Sequence, residues 1–198
     1  MTIPANTKLV VIGASAGGVD AIGNLLAALP ADFAPAVAVV LHLPPDRPSM
    51  LAELFASRCA LPVKEAEDKE PIQPGTVVVA PPDYHLQVEP DHTFSLSCDE
   101  PVLYSRPSID VLFDSAAMAY GAALLGIILT GASADGTAGL KAVRARGGQA
   151  WVQDPEDAVA RLMPAAAIAD AGADRVLPLE QMKQLLSGSG LQAMTQPI

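Results

Sequence analysis

Short apolar runs alternate with longer amphipathic segments along most of this chain. Runs of Val, Ile and Leu without polar alternation are typical of strands that are buried on both faces of a parallel sheet. The intervening segments repeat apolar residues at helical spacing, which predicts helices that cover such a sheet. The pattern therefore predicts an α/β fold with three α/β/α layers and a doubly wound, mainly parallel sheet.

The predicted strands are rich in aliphatic residues: Lys8–Gly13, Ala36–Leu41, Thr76–Ala80, Leu124–Thr130, Gln149–Gln153 and Arg175–Leu177. The predicted helices are Val19–Leu29, Pro48–Cys59, Pro107–Tyr120, Thr137–Arg146, Pro164–Ala171 and Glu180–Leu186. Tyr84–Glu89 and Thr93–Cys98 alternate polar and apolar residues around a turn, which predicts an antiparallel hairpin at an edge. We expect one domain over residues 7–187, followed by a flexible tail over residues 188–198.

Polar residues follow three of the predicted strands. Ser15 comes after the first strand, His42 directly after the second, and Asp135 shortly after the fourth. The carboxyl ends of parallel strands share one edge of a sheet, so these side chains should meet there. A hydroxyl, an imidazole and a carboxylate together can transfer an acyl group from an ester. The sequence therefore predicts Ser15, His42 and Asp135 as catalytic residues.

The turn after Ser15 leads directly into a predicted helix. Gly17 and Gly18 allow the backbone to approach a ligand closely. The backbone N–H groups of Ala16 and Gly17 would then lie near a developing oxyanion at a helix N-terminus. We expect this turn to stabilise the oxyanion.

Each of the three residues also has an ordinary structural interpretation. Ser15 could cap a helix in a phosphate-binding turn, His42 could be a hydrogen-bonded residue at a strand end, and Asp135 could cap the next helix. Taken alone, the capping role is the more common one for an aspartate in that position. Only the convergence of all three favours catalysis.

Two other motifs overlap the Ser15 turn. Residues 13–17 match the G-x-S-x-G nucleophile elbow, but the hydrolases with that elbow order their residues Ser, acid, His, and no histidine follows His92. The glycines also resemble a dinucleotide-binding turn, although His42 stands where an acidic ribose ligand is usual. A nucleotide-binding protein remains the second hypothesis, and a non-enzymatic interaction module the third.

Composition narrows the choice of partners and compartment. The formal net charge is −10 and aromatic residues make up 4% of the chain, which argues against a nucleic-acid partner. No apolar run is long enough to span a membrane, and the first residues show no signal peptide. Cys59 and Cys98 show no disulfide or zinc spacing, and the histidines show no metal-ligand spacing. We expect a cytoplasmic protein that is not membrane-embedded and needs neither a metal nor a cofactor.

Several segments together resemble the catalytic domain of the CheB-type chemoreceptor methylesterases: Ile12–Gly18, Leu41–Pro45, Ala80–His85, Arg106–Phe113 and Leu129–Gly139. The resemblance covers roughly residues 8–187. It implies an α/β/α fold and a triad in the order Ser15, His42, Asp135. It also implies hydrolysis of glutamyl methyl esters on a methylated chemoreceptor or related signalling protein, with release of methanol, and deamidation of some glutamines.

The chain departs from that family pattern at three places. Ala16 stands where the family commonly has Thr, and Ala132 and Ser133 stand where it often has Met and Gly. The backbone of Ala132 can still supply an oxyanion contact. Few residues precede the first strand, so we expect no receiver domain in cis, and a separate regulatory protein is one alternative for control.

The roles of four further polar residues stay open from the sequence. His85 lines the cleft or has a structural role, and His92 is expected to be solvated in the hairpin turn. Arg106 precedes a helix start and either supports it or binds substrate carboxylates. Ser105 or Ser108 would cap that helix.

Overall fold

Residues 3–42 and 49–188 are described by the computed structural model of this chain. The predicted tail, apart from Gly188, lies outside these residues, and so does Pro48 at the start of the second predicted helix. Within them there are nine strands: β1 (Leu9–Ala14), β2 (Ala36–Leu41), β3 (Val63–Glu65), β4 (Val77–Val79), β5 (His85–Val88), β6 (Phe94–Ser97), β7 (Leu124–Ile128), β8 (Gln149–Gln153) and β9 (Arg175–Leu177).

The helices of the described residues are α1 (Gly18–Leu26), α2 (Leu51–Ala56), α3 (Ile109–Tyr120), α4 (Thr137–Ala145), α5 (Leu162–Ala166) and α6 (Leu179–Leu186). A 3-10 turn (Gly121–Ala123) precedes β7, and a π-helical turn (Ala167–Ala171) continues α5. None of these helices is long and apolar enough to cross a membrane.

The central sheet has seven strands, all parallel, in the order β3-β4-β2-β1-β7-β8-β9. The chain starts at the centre with β1 and β2, forms the edge strand β3, and returns to insert β4 between β2 and β3. It then crosses to the other side of β1 and adds β7, β8 and β9 outwards. The predicted hairpin forms a separate two-stranded antiparallel sheet, β5-β6. The predicted doubly wound fold is confirmed.

Alternate residues of the central strands face opposite sides of the sheet, and both sides are buried. Leu9 and Val11 pack into a core with α3, α4 and the hairpin. Val10 and Ile12 pack into a second core with α1, α2 and α6. This burial on both faces explains why the strands read as continuous apolar runs.

The sequence prediction was wrong at the smaller elements. It missed β3, whose Lys64 and Glu65 are exposed, because a short polar edge strand carries no apolar signal. The second helix is shorter than predicted and begins at Leu51. The predicted helix Pro164–Ala171 begins earlier, at Leu162, and its last residues form the π-helical turn.

Helices α3 and α4 pack closely where Gly139 lies against α3. A Cβ at Gly139 would lie 2.5 Å from Phe113 Cβ and 3.0 Å from the Asp110 carbonyl oxygen. We predict that Gly139→Ala lowers the free energy of unfolding by about 2 kcal/mol, because backbone cannot move aside as a side chain can. Urea denaturation measures this change.

Gly23→Ala in α1 is the matched control. A Cβ there would meet only the Arg58 guanidinium at 3.4 Å and the Phe55 ring at 3.7 Å. We expect it to stabilise the protein by about 0.5 kcal/mol, because Gly is unfavourable inside helices. Equal effects of the two substitutions would contradict the proposed packing constraint.

Candidate active site

The ends of β2, β1 and β7 bring the predicted catalytic residues to one edge of the sheet. Ala14 pairs with Leu41, so Ser15 and His42 leave their strands at the same level. The His42 N–H donates to the Ala14 carbonyl at 3.1 Å, and the Ser15 N–H donates to the Thr130 carbonyl at 3.0 Å. Parallel pairing thus fixes the two loops relative to one another.

His42 and Asp135 form a direct pair across this edge. His42 Nε2 lies 2.7 Å from Asp135 Oδ2, the His42 side chain is 12% exposed, and the Asp135 side chain is fully buried. A carboxylate only accepts hydrogen bonds, so Nε2 carries the proton of this bond. Nδ1 is then the ring nitrogen that faces the remaining side of the site.

The N-terminus of α3 holds the other side of the Asp135 carboxylate. Oδ2 also accepts from the Ile109 N–H at 2.7 Å, while Oδ1 accepts from Ser108 Oγ at 2.8 Å and from the Asp110 N–H at 3.0 Å. Free N–H groups at a helix N-terminus favour a negative charge. Asp135 therefore accepts from α3 and does not serve as the N-cap of α4, a position that Gly136 occupies.

These donors keep Asp135 ionised despite its burial. Burial alone would raise its pKa, but the His42 ring, the Asp110 and Ile109 N–H groups and the Ser108 hydroxyl together hold the pKa below its ordinary value. The carboxylate is thus a permanent partner for His42 at neutral pH.

A second carboxyl group, Asp110, lies beside Asp135. Its Oδ1 accepts from the Gly139 N–H at 2.7 Å. Burial, together with the negative charge of Asp135, raises the pKa of Asp110 to about 6, although the Gly139 N–H opposes this rise. Two like charges at close range make the second ionisation unfavourable.

Ser15 lies half-buried in the turn between β1 and α1. Its carbonyl accepts from the Gly18 N–H at 2.7 Å, and Gly17 adopts a left-handed φ of 79° as the N-cap of α1. Among the hydrogen bonds of the described residues, none joins Ser15 Oγ to His42. The structure brings Ser15 to the same edge as the pair but does not show the bond that completes a triad.

The hydroxyl that lies near His42 Nδ1 is that of Ser105, at 3.4 Å. This distance is long for a strong hydrogen bond. Ser105 therefore sits beside the imidazole and does not cap α3, whereas Ser108 is the N-cap and accepts from the Val111 N–H. From residue types alone, both serines were predicted only as possible caps of this helix.

The three predicted oxyanion residues lie around this edge with free donors. Within residues 3–42 and 49–188, no hydrogen bond uses the backbone N–H of Ala16, Gly17 or Ala132. Ala16 and Ala132 are also exposed. Thr130 Oγ1 donates to the Ala16 carbonyl at 2.9 Å and accepts from the Ala160 N–H at 2.8 Å, so it fixes the turn after Ser15.

His85 and Arg106 serve the structure. His85 is buried; its Nδ1 accepts from the Ser108 N–H at 3.1 Å, and its Nε2 lies 3.2 Å from the Glu100 carbonyl.

Arg106 pairs with Asp83 and donates to the carbonyls of Cys98 and Asp99, so its guanidinium is already engaged within the chain.

His92 lies in the exposed hairpin turn, as predicted, and stacks on Tyr120 with a ring separation of 4.4 Å. It is not placed beside Asp135. Among the described residues no three His, Cys, Asp or Glu side chains come together in a way that could hold a metal ion.

We predict that Asp110→Asn changes how stability depends on pH. The folded pKa of about 6 lies above the ordinary value of 3.8, so the folded state of the wild type binds more protons and loses stability as pH rises through this window. The Asn side chain keeps an oxygen that can accept from the Gly139 N–H, but it lacks the negative charge of the carboxylate. After allowance for solvent screening, we expect a gain of about 1 kcal/mol at pH 8 and little change at pH 4.

Urea unfolding of both proteins at pH 4 and pH 8 checks this prediction. An effect of equal size at the two pH values would indicate a change in packing or hydrogen bonding, and would contradict repulsion between Asp110 and Asp135. Asp135→Asn should behave in the opposite way, with its largest loss of stability at the higher pH, because the pKa of Asp135 is lowered in the folded state.

Known proteins are similar to this chain over most of its length. The CheB methylesterase family model matches residues 10–186. The crystal structure of the Thermotoga maritima CheB methylesterase catalytic domain superposes with a TM-score of 0.87 at 36% identity, and covers 92% of this chain and 98% of that one.

Some similar proteins are about as long as this chain, and others are about twice as long. A Leptospira interrogans protein, provisionally named protein-glutamate methylesterase/protein-glutamine glutaminase, is 46% identical over 91% of this chain and 93% of its own length. Proteins with that name from Burkholderia lata and Geobacter metallireducens are 41% and 40% identical, and the chain covers 49% and 52% of their lengths.

The match extends over nearly all the elements that build the sheet edge, and nothing in it favours a dinucleotide-binding protein. The resemblance drawn from the sequence motifs is confirmed, and the chain belongs to the CheB methylesterase family.

Proposed function

We propose that this chain hydrolyses the methyl esters of glutamyl side chains to glutamate and methanol, with Ser15, His42 and Asp135 as the catalytic triad. The observation that carries the proposal is the bond of 2.7 Å between His42 and the buried Asp135, at the sheet edge where Ser15 lies. Deamidation of glutamine would use the same acyl chemistry with ammonia as the leaving group.

The position of Asp135 makes Nδ1 of His42 the catalytic base. Ser15 Oγ attacks the ester carbonyl carbon, and its proton passes to Nδ1. The tetrahedral intermediate then collapses, and methoxide leaves with that proton as methanol. Water attacks the resulting acyl-serine by the same proton route and releases the glutamate side chain.

Asp135 supports this cycle because its negative charge compensates the positive charge that forms on His42. His42 becomes positively charged when it accepts the serine proton, and a carboxylate with a lowered pKa stabilises that imidazolium. Catalytic hydrogen bonds are often long or poorly aligned before the substrate complex forms. The lack of a hydrogen bond between Ser15 Oγ and His42 among the described residues is therefore compatible with Ser15 as the nucleophile.

The free backbone donors supply the oxyanion site in the proposed mechanism. The N–H groups of Ala16, Gly17 and Ala132 border the Ser15 turn, and preorganised donors of this kind stabilise the negative oxygen of a tetrahedral intermediate. Substitution of the family's Thr by Ala16 removes a hydroxyl but no backbone donor.

The wider setting follows from the same proposal. Residues 7–187 would form the catalytic domain, and its substrate would be a methylated chemoreceptor or a related signalling protein. Cys59 and Cys98 are free thiols, which fits the reducing cytoplasm. A separate regulatory protein would be one way to control the site.

We predict that Ser15→Ala and His42→Gln each lower methanol release from methylated chemoreceptors at least about 10³-fold, because removal of either group abolishes the acyl-transfer step. Ser57→Ala, which removes an exposed hydroxyl at the end of α2, is the control and should keep full activity. Circular dichroism of each variant confirms that it is folded.

The identity of the nucleophile is tested separately, since Ser105 also lies near His42. A fluorophosphonate probe followed by peptide mass spectrometry should label Ser15, and Ser105→Ala should still be labelled. Labelling of Ser105 would overturn the assignment of the nucleophile, and absence of any ester turnover by the wild type would favour a non-enzymatic module.

A further inference from the structure

A tight turn beside His42 has an unusual backbone. Val102 and Ser105 exchange two backbone hydrogen bonds, of 3.1 Å and 2.9 Å. The two residues between them, Leu103 and Tyr104, both have positive φ angles, of 48° and 64°. This is the geometry of a two-residue turn that Asn-Gly usually forms.

Leu and Tyr are unfavourable in these positions, because a Cβ atom crowds the following carbonyl when φ is positive. Their side chains gain nothing from the interior in exchange: Leu103 is half exposed and Tyr104 is fully exposed. Strained backbone that lacks a structural compensation is commonly found at functional sites.

The base of the turn is firmly attached to the candidate active site. Ser105 lies against the His42 ring, and the neighbouring Arg106 is held by Asp83 and by the carbonyls of Cys98 and Asp99. The strain therefore holds two large apolar side chains outwards beside the catalytic base.

A second exposed apolar group lies on the Ser15 side. Val159 is 81% exposed, and its Cβ lies 2.8 Å from the place where a Cβ on Gly17 would stand. Leu162, at the start of α5, is also exposed. Exposed apolar side chains therefore lie beside both the Ser15 turn and the His42 ring.

We propose that the Leu103–Tyr104 turn is a specificity element that binds apolar side chains next to the esterified residue of a protein substrate. This inference rests on the proposed methylesterase activity. The occupant is the substrate protein itself, because the turn is continuous with the site at which its ester must react. A small ester needs only His42 and Ser15 for its reaction, so its turnover serves as the reference for the catalytic groups alone.

The test replaces the turn by the pair that suits its backbone. Leu103→Asn combined with Tyr104→Gly keeps the turn geometry and removes both apolar side chains. We expect KM for methylated chemoreceptors in vesicles to rise about tenfold, as is common when an apolar anchor is lost from an interface. We expect kcat/KM for a small soluble ester, N-acetylglutamate γ-methyl ester, to stay within about twofold, because the catalytic groups are unchanged.

Two further variants test whether the change in KM is specific to apolar side chains beside the candidate active site. Met118→Gln removes an exposed apolar side chain near the far end of α3 and should leave both activities unchanged. Val159→Thr keeps the side-chain volume and should raise KM for the receptor alone. The melting temperature of the turn variant should not fall, since Asn-Gly relieves the positive φ angles.

The outcomes separate this inference from the function on which it rests. Receptor turnover by the turn variant that equals wild-type turnover would overturn the inference, and so would a parallel loss on the small ester, which would indicate an effect through His42. Absence of turnover of either ester by the wild type would overturn the proposed function and the inference with it.

Discussion

A buried negative charge organises one side of this molecule. Asp135 has no exposed surface, and an unpaired carboxylate in such a place would cost several kcal/mol. It is tolerated because the first turn of α3, the Ser108 hydroxyl and His42 supply four donors. The position of α3 and the orientation of His42 are thus consequences of one electrostatic requirement.

The need to supply donors to the buried Asp135 carboxylate also gives the antiparallel hairpin a role in the site. The His85 ring, at the start of β5, accepts from the Ser108 N–H and contacts the Glu100 carbonyl beyond β6. Ser108 in turn donates its hydroxyl to Asp135. A continuous set of hydrogen bonds therefore connects the hairpin with the imidazole, although the hairpin lies outside the main sheet. His85 supports the site without taking part in the proposed chemistry.

Topology made part of the site predictable from sequence. The rule that parallel strands end at one edge selected Ser15, His42 and Asp135, and the structure places all three there and pairs two of them. The interactions of Asp110 and Ser105 were not predictable, because they depend on where α3 and its preceding turn pack in space. A helix cap and a carboxylate partner have the same residue types, so only the fold distinguishes them.

The turn at Ser15 shows how the fold can replace a side chain that the family usually has. Ala16 has no hydroxyl, yet its carbonyl is held by Thr130 Oγ1, which also binds the Ala160 N–H. Thr130 is buried just after the end of β7, so these two hydrogen bonds are positioned by the sheet and not by the side chain of residue 16. The direction of the Ala16 and Gly17 N–H groups then depends on backbone fixed at both ends. Loss of the hydroxyl at residue 16 therefore leaves the proposed oxyanion donors preorganised, which is the property that stabilises a transition state.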